Sequence, residues 1–180
     1  MASFGDRIVG AMKLNPATFQ EVENDPTAMG QAVGVIVLAA VASAIGMVWL
    51  GGITGIVFGV LRALIGYLIW AGLVWVIGTK VMPDPSTKAD FPETFRVVAF
   101  AAAPGLLSVL MIIGIIPILG WLVASLIWLL VILWTIAAMV IAVREVLDYS
   151  NTGKAAIVVV IGAIAFFVVM AILTGPRMYY

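Results

Sequence analysis

The chain has 180 residues, of which 64% are hydrophobic and 10% charged, with nine basic and nine acidic side chains and neither cysteine nor histidine. A soluble domain carries about a quarter charged residues, so this composition excludes an ordinary globular fold and belongs in a bilayer. Zero net charge argues against a nucleic-acid partner, and the absent thiols and imidazoles remove disulfides, the usual zinc ligands and Cys or His catalysis; no metal or cofactor is expected.

At the start, "FGDRIVGAMKL" spaces Phe4, Ile8 and Met12 four apart with Asp6, Arg7 and Lys13 between them, which predicts a short helix lying in the membrane interface. In "NPATFQEVEN" and "DPTAMGQA", Asn15 and Asp25 stand as caps before Pro16 and Pro26, so a second short helix precedes the first span. Glu21, Glu23 and Asp25 read as charges favourable at helix starts, because a hard-cation site needs around six convergent oxygens. Residues 1–28 thus form a polar amino-terminal segment, without the basic start and short apolar core of a cleavable signal.

Continuous apolar runs follow over 29–50, 55–79, 97–116, 118–143 and 155–173, each near or above the roughly 20 residues that cross the hydrocarbon. Their continuity selects helices over a membrane barrel. The expected fold is all-α: a polytopic bundle of five transmembrane helices over 29–173, with 174–180 as a short tail.

The first span offers Ala39, Ala42, Ser43 and Gly46 as a close-packing face. In the second, Gly51, Gly55, Gly59 and Ala63 recur every fourth residue. Such a stripe lets backbones approach, either against the first span through a tight "GGIT" turn or against a second copy of the chain. The next connection, "KVMPDPSTKADFPE", ends in a capping box from Asp90 to Glu93, after which Glu93 and Arg96 are spaced to pair. Within the third span Pro104 predicts a kink. "IIGIIPILGW" turns in the interface with Trp121 as anchor. In "REVLDYSNTGK", Arg144 and Asp148 fall one turn apart and Lys154 opens the last span. "NTGKA" is no phosphate loop, because Asp148 stands at the first glycine position and Ala155 at the Ser/Thr position.

Five spans put Arg7, Lys13, Lys80, Lys88, Arg96, Arg144 and Lys154 on one face and Arg177 on the other. The positive-inside rule therefore predicts a cytoplasmic amino terminus and an external carboxyl terminus. All nine acids share the cytoplasmic face, which isolates Arg62 in "IVFGVLRALIGYL" from every carboxylate side chain. About one-third of the way across, Arg62 either snorkels to the outer interface or binds an anionic headgroup, a translocated anion or the terminal carboxylate of Tyr180. Arg62, Arg96, Arg144, Asp148 and Lys154 are the candidate binding residues.

"LNPATFQEVENDP", "FRVVAFAAAPGLL" and the block from "IPILGWLVAS" through "REVLDYSNTGKAA", with proline three before phenylalanine at Pro16 and Phe19, resemble bacterial members of the Yip (Ypt-interacting protein) superfamily. The resemblance implies five spans and a cytoplasmic amino terminus. Eukaryotic relatives bind prenylated small GTPases, a role not carried over here, since "ENDP" replaces their aspartate and glycine-proline motif.

The spans place Ser43, Ser108, Ser125, Thr54, Thr79 and Thr135 in or beside the membrane without a neutral-pH base, so no catalytic residue is expected. The expectation is a non-catalytic membrane protein that binds or organises a protein partner, a second copy or membrane lipids. The alternative is a small permease, channel or lipid-moving protein using Arg62 as an anion contact.

Overall fold

The computed structural model describes residues 2–47 and 54–174, and their side chains apart from those of 54–57 and 173–174. Gly51, Arg177 and Tyr180 lie outside the described residues, as do the "GGIT" turn before Thr54 and the surroundings of Gly55.

Among the described residues there are seven α-helices: α1 (Phe4–Met12), α2 (Pro16–Glu23), α3 (Met29–Gly46), α4 (Thr54–Val76), α5 (Phe91–Phe100), α6 (Leu119–Val146) and α7 (Thr152–Thr174). Five segments among the described residues are long and apolar enough to cross a membrane: Pro26–Gly46, Phe58–Val81, Phe91–Ile115, Leu119–Val146 and Thr152–Ile172. Large apolar side chains such as Phe58, Leu61, Ile65, Trp128 and Phe167 point outward, as they must where the surrounding solvent is lipid. All-α architecture and five spans are therefore as the sequence predicts.

Local signals act where expected. Asn15 and Asp25 accept hydrogen bonds from the amides of Ala17 and Thr27, and Asp90 and Glu93 form the predicted capping box. A second capping box, Ser3 with Asp6, starts α1.

The third span is the centre of the bundle. Half of its most apolar window is buried, against 17% for the second span, and α3 and α6 both pack along it. Pro104 does more than kink this span: α5 stops at Phe100, and Ala103–Ile115 continues as 3-10 turns. Proline removes one N–H and collides with the carbonyl four residues back, at Phe100, so the α-helical ladder cannot pass this point. Thirteen residues at a rise of about 2.0 Å cover roughly 26 Å, more than an α-helix of equal length would.

The close approach in the membrane lies on α3. A Cβ built on Gly46 would sit 2.0 Å from the Ser108 carbonyl oxygen, and Gly105 faces Ala39. At Gly59 an added Cβ meets no atom of the described residues within 4 Å. Ala63 is partly buried and packs against the core.

The turn before α6 is strained. Ile118 has φ 68° and ψ −70°, and Leu119 N–H donates to the Pro117 carbonyl at 2.8 Å, the geometry of a positive-φ γ-turn. Ile118 and Trp121 are largely exposed beside it.

Candidate functional site

At the end of the bundle opposite that turn, the polar segments are fastened together. α6 has 28 residues, about 42 Å, and so overshoots the roughly 30 Å hydrocarbon. Its last turn gives α2 a surface to pack on. Gln20 of α2 donates to Glu145 at 2.6 Å, and Arg144 engages the other Glu145 oxygen and Thr152.

Arg96 sits buried between α5 and α2. Its Nε donates to the Val22 carbonyl at 3.2 Å and its Nη2 to that of Glu23. The predicted Glu93–Arg96 pair is thus replaced by a cap. Glu93 is committed to Asp90 by the capping box, while the last carbonyls of α2 lack helical partners and attract a cation.

The Arg144–Asp148 proximity does not become a pair either. Asp148 is exposed with φ 51°, which turns the chain after α6 and aims it away from the preceding helix.

This turn meets the 77–90 connection. Lys154 forms an ion pair with Asp84, donates to the Pro83 carbonyl at 2.9 Å and lies 4.7 Å from the Tyr149 ring centroid. The buried Tyr149 hydroxyl donates to the Met82 carbonyl at 2.6 Å, and burial together with the Asp84 charge pushes it up to about 12. Ser86 and Thr87 donate to the carbonyls of Asp148 and Leu147.

Sequence reasoning missed Arg7. Counted as a surface charge of an interfacial helix, it is 1% exposed. Arg7 donates to Asp25 at 2.6 Å, Gln31 at 2.9 Å and Glu21 at 3.0 Å. Hydrogen bonds from Thr27 and Arg7 hold the Asp25 carboxyl at about 2. Consequently α1 packs onto the bundle, with Phe4 edge-on to Phe100 at 6.4 Å and the Trp134 indole donating to the Met12 carbonyl at 2.7 Å. The available signal was Glu21 and Asp25, two acids near one another with no basic residue close in sequence.

Arg62 lies apart from all of this, eight residues into α4. It is exposed and lines a cleft of about 410 Å³ with Gly59, Ala63, Gly66, Tyr67, Trp70, Met139 and Phe166. The cleft is bounded by α4, α6 and α7. On the other side of α4 a second cavity of about 320 Å³ shares Gly59, Ala63 and Tyr67 and is closed by α3 and the 3-10 run. The small-residue stripe of α4 therefore borders two cavities.

Thr79 and Ser125 donate their hydroxyls back to the Trp75 and Trp121 carbonyls of their own helices. Among the described residues no cluster of acids could hold a metal ion.

No curated protein matches the sequence. No solved structure matches it either. The Yip1 domain, in contrast, matches residues 9–173, a stretch that takes in all five spans, the Arg7-tethered α2 and the interlocked connections, and the chain is therefore a member of the Yip1 domain family.

Proposed function

We propose that this Yip1-domain protein is a non-catalytic component of a bacterial inner membrane that holds partners, protein or lipid, with its amino terminus in the cytoplasm. One observation carries the reading: residues 2–28, 77–96 and 144–154 are joined by buried and half-buried hydrogen bonds and ion pairs into a single ordered face, while the membrane interior offers a single charged side chain, Arg62, among the described residues. Transport and intramembrane chemistry ordinarily need ionisable groups inside the bundle. A preorganised polar face instead suits recognition, because little side-chain freedom remains to be lost on binding. The charge count supports the orientation, and the likeness to bacterial Yip members supports the membrane.

A second reading, a small permease or lipid-moving protein, is favoured by the cleft that reaches Arg62. Liposomes holding the full chain separate the two. Solute and anion flux at the level of protein-free liposomes is expected, with native mass spectrometry of protein drawn from its own membrane retaining a stoichiometric partner. That partner should be lost on combined Lys88→Glu and Asp148→Asn substitution at exposed positions of the ordered face. Flux that disappears in Arg62→Ala protein overturns the binding role.

A further inference from the structure

Arg62 combines three properties that together identify a ligand. It is exposed on the lipid-facing side of α4, it has no hydrogen bond or ion pair to any described residue, and it forms one end of an apolar cleft. A guanidinium in that setting demands an anion, and its planar fork suits phosphate. The rest of the cleft demands the opposite. From Arg62 it follows α4 past Gly66 to Trp70, about 12 Å at 1.5 Å per residue, with Met139 and Phe166 as walls. Its volume of about 410 Å³ falls within the usual range of roughly 300–1,000 Å³ for small-ligand sites.

The direction of this gradient is informative. α4 begins at Thr54, at the end of the bundle away from the polar face, so Arg62 is nearer that membrane surface and Trp70 nearer the bilayer centre. A phospholipid in the adjacent leaflet has the same polarity along the same axis.

We propose that the cleft between α4, α6 and α7 binds one anionic phospholipid, its headgroup phosphate on Arg62 and an acyl chain along Gly66 towards Trp70. This narrows the lipid side of the binding role proposed above to one site and one ligand class. Arg62 then acts as the headgroup ligand, the absence of a side chain at Gly66 leaves room for the chain, and its absence at Gly59 leaves room for the headgroup.

The test is native mass spectrometry of the full-length protein titrated with phosphatidylglycerol or phosphatidylcholine in detergent. One retained phosphatidylglycerol per chain is expected, held at least tenfold more tightly than phosphatidylcholine. Arg62→Gln should bring phosphatidylglycerol down to the phosphatidylcholine level, and Arg62→Lys should keep most of the preference. Gly59→Leu, placed where a Cβ meets no neighbour, should weaken both lipids at an unchanged melting temperature. Equal retention of the two lipids, retention unaffected by Arg62→Gln or by Gly59→Leu, displacement by inorganic phosphate alone, or a dimer covering this face would each overturn the proposal. The partner complex at the polar face is measured in the same spectra, so loss of the lipid site and loss of the broader binding role are told apart.

Discussion

Arg96 of α5 closes the C-terminus of α2, donating to the Val22 carbonyl at 3.2 Å and to the Glu23 carbonyl beside it. These carbonyls belong to a helix of only eight residues, too short to persist on its own. Arg96→Met should therefore destabilise α2 docking by about 2–3 kcal/mol, the scale of charged hydrogen bonds whose acceptors are left buried. Arg96→Lys, with one nitrogen in place of the fork, should recover about half. Thermal unfolding in detergent, with limited proteolysis at Asn24, checks both.

Glu23 makes this joint sensitive to pH. Burial, and then the charges of Asp148, Glu93 and Glu145, push its carboxyl up to about 7, with Arg96 offsetting only part. A carboxyl whose folded pKa is raised binds a proton in the folded state that the unfolded chain has already released. Stability from this group is therefore lost as pH rises from the ordinary carboxylate range to about 7, and is flat beyond. Discounted for partial exposure, the loss is roughly 1–2 kcal/mol. Amide exchange over 16–24, corrected for intrinsic rates, should be faster at pH 7.5 than at pH 5.5, and Glu23→Gln should abolish the difference.

Asp25 titrates with the opposite sign. Held at about 2 by Thr27 and Arg7, it stabilises the fold above its ordinary range and stops doing so only as pH falls towards 2. Arg7→Ala would leave Asp25 and Glu21 without their shared cation, a loss of about 3–5 kcal/mol for a buried pair broken on one side. Adding Asp25→Asn should restore part of it, because the uncompensated charge is gone. Melting temperatures of the two single variants and the double variant give the coupling.

What could be read from the residues followed the range of the forces involved. Caps, spans and the block at Pro104 are decided within about four residues, and Asn15, Asp25 and Asp90 behaved accordingly. Partners of buried cations are decided across the fold. Arg7 reaches Gln31 over 24 residues and Arg96 reaches Val22 over 74, so neither local spacing nor helical period could supply them. Arg62 was legible as an unpaired charge, but its cleft required three helices to be placed.

Strain at Ile118 should be measurable. A β-branched residue in a positive-φ γ-turn costs about 1–3 kcal/mol, while glycine adopts that geometry freely and gives back about 0.5–1 kcal/mol in unfolded-chain entropy. Ile118 is also 87% exposed, so its removal forfeits little packing. Ile118→Gly should raise the melting temperature by a few degrees in detergent; a fall would mean that lipid-facing burial of Ile118 outweighs its backbone strain.

Two glycines that look alike in sequence separate the packing argument. Gly46 and Gly59 both belong to small-residue stripes, but an added Cβ at Gly46 would lie 2.0 Å from the Ser108 carbonyl oxygen and 3.2 Å from the Met111 Cβ, whereas at Gly59 it meets nothing within 4 Å. Backbone cannot yield as a flexible side chain does, so Gly46→Ala must push α3 off the 3-10 run and should cost about 1–3 kcal/mol, as overpacking does. At Gly59 alanine's better helix propensity acts alone, and Gly59→Ala should leave stability unchanged or raise it by up to about 1 kcal/mol. Paired melting curves of the two variants decide the matter: equal losses would mean that α4 closes on its neighbours in the membrane and that its stripe is a packing face after all.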